Sequence, residues 1–183
     1  IIKDMDAIKK EYGRKRRTAI ENAEEAVYEE KKMEEMEVCF LMDRFGYMKL
    51  IDKNAYERNK EAVHNENKYV FNCMNTDKIC IFTDTGKMHT IKAVDIPLGR
   101  FRDKGTPVDN LSNYDSSQER MLYVAPVGQL RSDRLLFVTK TSMCKLVEGA
   151  EFDVAKRTIA STKLADEDEL IFIGSASEME QIV

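Results

Sequence analysis

ICIFTDTGKMHTIKAVDIPLGRFRDKGTPVDNL, Ile79 to Leu111, joins two strand signals to a loop of different character. Ile79 to Phe82 is a continuous apolar run and Lys87 to Ile91 a second strand-forming run, with Thr83-Asp84-Thr85-Gly86 supplying turn chemistry between them. A β-hairpin is predicted. Gly86 accepts positive φ without a Cβ clash, and Thr83 and Asp84 can hydrogen-bond to the turn backbone. Pro97, Gly99, Gly105 and Pro107 then punctuate a loop that holds Arg100, Arg102 and Lys104 on alternate residues. On extended backbone, alternation puts the three cations on one side.

The hairpin is repeated. Val38 to Met42, a turn to Gly46 and Tyr47 to Ile51 mirror it upstream, and Leu135 to Val138, a turn to Ser142 and Met143 to Val147 mirror it downstream. Gly46, Gly86 and Ser142 are equivalent turn positions, spaced 40 and 56 residues apart. After each hairpin come a variable loop and a further strand candidate: Tyr69 to Cys73, Val108 to Leu111 and Thr158 to Leu164. Such periods with several short strands per unit predict an all-β, propeller-like array of three units, with a fourth beginning at Leu170. Lys49, His89 and Lys145 fall at one place in the three units, and Lys104 and Arg157, the latter beside Lys156, correspond in the following loops. Recurrence would make a basic stripe along a rim, suited to phosphate rather than to base edges. Lys and Arg are also ordinary surface residues of any antiparallel sheet, so periodicity alone leaves that role open.

Upstream, Ile1, Met5, Ile8 and Tyr12 recur at helical spacing, and Gly13 reads as the C′ residue that ends the helix. An ordinary surface helix has the same pattern. Arg14 to Arg17 is a run of four cations, Arg16 and Arg17 among them, that can meet phosphate or complement the helix dipole. Thr18 to Ile20 reads as a short strand, and Glu21 to Glu37 as an acidic linker or short helix.

Of the 183 residues 34% are charged, and the formal net charge is −4, so a nucleic-acid surface must be a local patch. The positive excess lies between Lys78 and Lys163, while the flanks at Glu21 to Glu37 and Asp166 to Glu180 are acidic. Cys39, Cys73, Cys80 and Cys144 are widely spaced and form no CxxC pair, which reads as reduced thiols rather than a zinc site. His64 and His89 are the only histidines, no nucleophile–base spacing is present, and there is no P-loop. No catalytic residue and no cofactor is assigned to this chain. Without a signal peptide or an apolar run long enough for a bilayer, the expected compartment is the cytoplasm, with no membrane partner.

GKMHTIKAVDIPLGRFRDKGTPVDNL resembles the repeating unit in the C-terminal domain of bacterial type IIA topoisomerase A subunits, those of DNA gyrase and topoisomerase IV. RKRRTAI from Arg14, FGYMKLIDKNAYE from Phe45, LLFVTKTSMCKLVEGAEF from Leu135 and ADEDELIFIG from Ala165 match in the family's order, so the resemblance spans nearly the whole chain. It implies a β-pinwheel in which blades exchange strands, with residues 1–17 the end of a coiled-coil arm, 18–37 an acidic linker or the strand entering the domain, and 38–183 the pinwheel, truncated at its C-terminus. It implies duplex DNA as partner, and a parent A-subunit homodimer that works with an ATPase B subunit, ATP and magnesium. The strand-cleaving tyrosine of such enzymes lies in a domain outside this sequence. Gyrase A subunits carry a Gly-rich box, QRRGGKG, in the loop after their first hairpin, where this chain has ERNKEAVHNENK from Glu57 to Lys68. That loop has no glycine and carries Glu57, Glu61 and Glu66, so the resemblance favours the topoisomerase IV type, with gyrase as the alternative. A propeller that docks proteins without touching DNA is the reading from another class.

Overall fold

Central strands with apolar residues at every position, rather than at alternate ones, require cover on both faces of a sheet. The computed structural model, which describes residues 2–15, 17, 18 and 34–176, provides that cover by stacking sheets face to face. The chain divides into two units, Ile1–Met33 and Glu34–Val183. The first holds helix α1 (Ile2–Tyr12), with Lys9 and Lys10 in its last turn and Gly13 N–H donating to the Lys9 carbonyl at 2.9 Å. Arg16, most of the strand expected at Thr18 to Ile20 and the acidic segment up to residue 33 lie outside the described residues.

In the second unit the hairpins appear as read. Strands β1 (Glu37–Met42) and β2 (Tyr47–Asp52) pair antiparallel, and β3 (Tyr69–Met74) joins the other side of β1. In the second blade β4 (Lys78–Thr83) pairs with β5 (Lys87–Lys92), but its third strand is β7 (Met121–Pro126), which sequence reading missed. The third blade contains β8 (Arg134–Thr139), β9 (Cys144–Glu148) and β11 (Leu170–Ser175). Leu170 therefore closes the third sheet on β8 instead of opening a fourth unit.

Two short strands cross between blades. β6 (Thr106–Pro107) follows β5 in sequence yet pairs with β2 of the first blade, and β10 (Thr158–Ala160) follows β9 yet pairs with β5 of the second. The sheet orders are β3-β1-β2-β6, β10-β5-β4-β7 and β11-β8-β9. Exchange of this kind satisfies backbone groups that would otherwise form a bare sheet edge. Val108 to Leu111, expected as a strand, is instead the helical turn α4. Buried Val108 and half-buried Leu111 stand three residues apart, which suits one face of a turn.

The core forms in layers. Phe40, Met42 and Met48 of the first blade meet Ile79, Ile81 and Val124 of the second, and Phe40 stacks on Phe71 with ring centroids 4.7 Å apart. Cys80 and Phe82 on the opposite face of β4 meet Phe137, Leu130 and Phe152, with Phe82 edge-on to Phe152 at 5.0 Å. The outer face of the first blade is covered differently. The segment read as a variable loop folds into α2 (Lys53–Arg58) and α3 (Lys60–Glu66), which drop Val63 onto Cys39, Leu41 and Ile51. Asp52 caps α2 by accepting from Ala55 N–H at 2.8 Å, and Asn59 and Asn67 side chains donate to the carbonyls of Ala55 and Val63.

Candidate nucleic-acid interface

The segment from Pro97 to Pro107 leaves the second blade and runs along β2 of the first. Leu50 N–H donates to the Pro97 carbonyl at 3.0 Å and Gly99 N–H to the Leu50 carbonyl at 2.9 Å. Between these contacts and β6 the backbone is not extended as alternation required. Asp103 N–H returns to the Arg100 carbonyl at 3.0 Å, and the Asp103 carboxylate accepts from Arg100 N–H at 2.7 Å, closing a turn. Gly105, at φ +83°, lets the chain pass the Met48 carbonyl, which an added Cβ would meet at 2.5 Å. Arg102 and Lys104 line a cleft of about 700 Å³ between this turn and α3, with Asn59, Glu66 and Phe101. Arg100 is exposed outside it.

The three residues predicted to recur as phosphate contacts all make contacts within the protein. Lys49 Nζ donates to the carbonyls of Phe101 and Asp103, so it holds the incoming turn, and burial depresses its ammonium despite the pull of Asp103 and Glu66. His89 is 1% exposed and cannot reach a ligand at the surface. Its Nε2 lies 2.9 Å from Glu119 Oε2 and its Nδ1 3.2 Å from Thr158 Oγ1 on β10. Lys145 is exposed, but its Nζ reaches the Ser161 carbonyl at 3.4 Å and lies over the Phe137 ring. Lys49 and His89 thus clasp the segment exchanged from the next blade, and Lys145 holds the loop after β10. Burial alone would raise the Glu119 carboxyl; hydrogen bonds from Lys87, at 2.8 Å, and His89 outweigh it and hold it below the usual carboxylate range.

Free positive charge lies elsewhere. Arg100, Arg102 and Lys104 precede β6, and Lys156 and Arg157 precede β10; all are exposed, and none makes a side-chain hydrogen bond or ion pair among the described residues. Lys104 Nζ stands over the Tyr47 ring at 4.4 Å. Arg17 is exposed within the first unit. A second group of cations was not anticipated: Arg44, Lys68 and Arg120, the last 3.7 Å from the Asp84 carboxylate, line a cleft of about 190 Å³ beside the β1–β2 turn. The signal for Arg44 was its place in a turn between two strands; Lys68 and Arg120 converge only through blade stacking. Among the described residues no group of His, Cys, Asp and Glu is arranged to hold a metal ion, and no helix is long and apolar enough to cross a membrane.

Three stacked antiparallel sheets that trade short strands define the class: a β-pinwheel. The crystal structure of the C-terminal domain of DNA topoisomerase IV superposes with a TM-score of 0.69 at 17% identity, over 80% of this chain and 48% of that one. The C-terminal domain of E. coli ParC gives 0.58 at 10% identity, over 76% and 56%. The sequence relatives agree with this class. The DNA gyrase A protein of Clostridium acetobutylicum is 30% identical over 94% of the chain, and that of Streptococcus pneumoniae serotype 4 is 29% identical over 93%. No protein-family model matches. In sequence and in fold the chain is similar to the A subunits of bacterial type IIA DNA topoisomerases, and it spans 22% of the length of these curated relatives.

Proposed function

We propose that residues 38–183 are a duplex-DNA-binding and DNA-bending module from the A subunit of a type IIA topoisomerase, of the topoisomerase IV type. Residues 1–17 are then the end of a coiled-coil arm and 18–37 an acidic linker or the strand entering the domain. The observation that carries the reading is the repeated placement of unpaired cations just ahead of each exchanged strand: Arg100, Arg102 and Lys104 before β6, Lys156 and Arg157 before β10. Such groups bind phosphate without reading sequence and release counterions as they do so. In this reading the module holds the duplex segment beside a cleavage core located elsewhere in the parent protein. The A-subunit dimer, the ATPase B subunit, ATP and magnesium belong to that larger assembly.

Binding of a short fluorescent duplex should weaken with salt, with a log–log slope of about −0.9 per phosphate neutralised. The triple variant R100A/R102A/K104A should keep its melting temperature and lose about 0.9 of slope for each contact removed. Salt-insensitive binding, or none at low salt, would leave the protein-docking reading standing instead.

The gyrase-like alternative draws on the curated relatives and is separated by topology. Bending a site of about 20–30 base pairs by roughly 40–90° costs on the order of 1–6 kcal/mol, so a full wrap needs continuous attraction. Glu57 to Lys68 is folded into α2 and α3 with Arg58 Nε bonded to the Asn54 carbonyl, and Glu57, Glu61 and Glu66 interleave its cations. Nicked circular DNA ligated with this protein should therefore show little change in linking number. A positive shift that scales with protein would favour gyrase.

A further inference from the structure

Phe45 is the most exposed large apolar side chain among the described residues, at 86%. It sits at the tip of the β1–β2 turn, one residue before Gly46. The equivalent tips of the second and third blades carry Thr85 and Thr141, whose hydroxyls turn inward to Thr83 at 2.9 Å and Thr139 at 3.1 Å. Phenylalanine has no such partner and projects from the repeat. Its backbone is nonetheless fixed, because Asp43 Oδ1 accepts from both Phe45 N–H at 2.8 Å and Tyr47 N–H at 2.9 Å. Around this rigid tip stand Arg44, Lys68 and Arg120. Of the carboxylates in the same cleft, Asp43 is spent on the turn and Asp109 accepts from Ser116 N–H at 2.8 Å. Arg120 keeps only a long contact with Asp84, 3.7 Å, and Lys68 lies over the Tyr69 ring.

We propose that Phe45 is an apolar wedge that enters bound duplex DNA and partly unstacks one base step, while Arg44, Lys68 and Arg120 hold the flanking phosphates. A rigid apolar side chain ringed by cations is the arrangement with which architectural proteins kink a duplex, by roughly 20–90° for an inserted wedge. The wedge rests on the DNA-binding reading and gives the bend a place. Arg44 and Lys68 supply charge; Phe45 supplies deformation.

The test uses a duplex of about 30 base pairs with a fluorophore pair at its ends and 2-aminopurine inside, a length on which protein-induced bends are resolved. Wild-type protein should raise both energy transfer and 2-aminopurine emission. Phe45→Thr, which copies the other two blades and removes no buried contact, should keep the melting temperature and the salt slope and lose at least about half of both optical changes. Phe45→Leu should retain most of them. The proposal is overturned if Phe45→Thr bends and unstacks the duplex as the wild type does, with the DNA-binding reading intact. It is overturned together with that reading if wild-type protein shows no salt-dependent binding.

Discussion

At single residues the turn chemistry makes the sharpest statements. Ser142 holds φ 65° where its counterparts Gly46 and Gly86 hold +81° and +75°. A residue with a Cβ is strained there by about 1 kcal/mol, so Ser142→Gly should raise stability by up to about that amount in a urea titration. Gly105→Ala should lower it by about 1–3 kcal/mol, because φ +83° and the Met48 carbonyl both resist a Cβ. Glu119 carries a pH prediction. Its folded-state carboxyl is held below its ordinary 4.5, so its contribution is present above that value and lost as pH falls through the depressed one. Glu119→Gln should cost about 1–3 kcal/mol at pH 7 and progressively less in acid, measured as the wild-type minus variant difference in unfolding free energy.

Among elements, the exchanged strands are the weak link. β6 pairs with β2 over only Tyr47↔Pro107 and Met48↔Thr106, so other contacts must hold its approach. Lys49 holds two carbonyls of that approach, and β2 bonds Pro97 and Gly99 further back. Lys49→Met keeps the stem of the side chain and removes the two donated bonds. Amide exchange from Phe101 to Thr106 should accelerate in this variant while β1, β4 and β8 stay protected. Uniform loss of protection would show instead that Lys49 supports the whole blade.

Across the three blades of the second unit the stack is asymmetric. The outer face of the first blade is capped by α2 and α3, which bury Cys39 to 1% and Leu41 and Ile51 completely, whereas on the third blade Leu146 is 49% and Phe172 43% exposed. Thiols report this difference. Burial pushes Cys39 up to about 11 and Cys73 and Cys80 up to about 12, and Cys144 alone of the four is exposed. A thiol reagent at neutral pH should therefore label Cys144 alone in the native protein, since the thiolate is the reactive form. Val63→Asp, which places an unpaired charge under the cap, should release Cys39 as a second reactive thiol. If Cys39 stays silent in that variant, α2 and α3 are not what shields it.

The continuous apolar runs Val38 to Met42, Ile79 to Phe82 and Leu135 to Val138 announced strands covered on both faces, and the turn positions at Gly46, Gly86 and Ser142 marked where each hairpin reverses. Both are local properties: hydrophobic pattern and φ preference act within a few residues, so the sequence alone carried the hairpins, their repetition and hence an all-β, propeller-like array. Partner choice across the sheets was not local. Thr106 lies in what reads as loop and Thr158 opens a strand candidate, but nothing local names a partner for either, and only the juxtaposed edges of β2 and β5 decide that each pairs with the blade before its own. The same holds for the expected interface. Lys49, His89 and Lys145 each meet a segment that reaches the blade from further along the chain, a contact that becomes visible only once that segment is in place. The free cations are those the stack leaves without a carbonyl or carboxylate to hold, and which residues those are depends on the stacked sheets rather than on any local pattern.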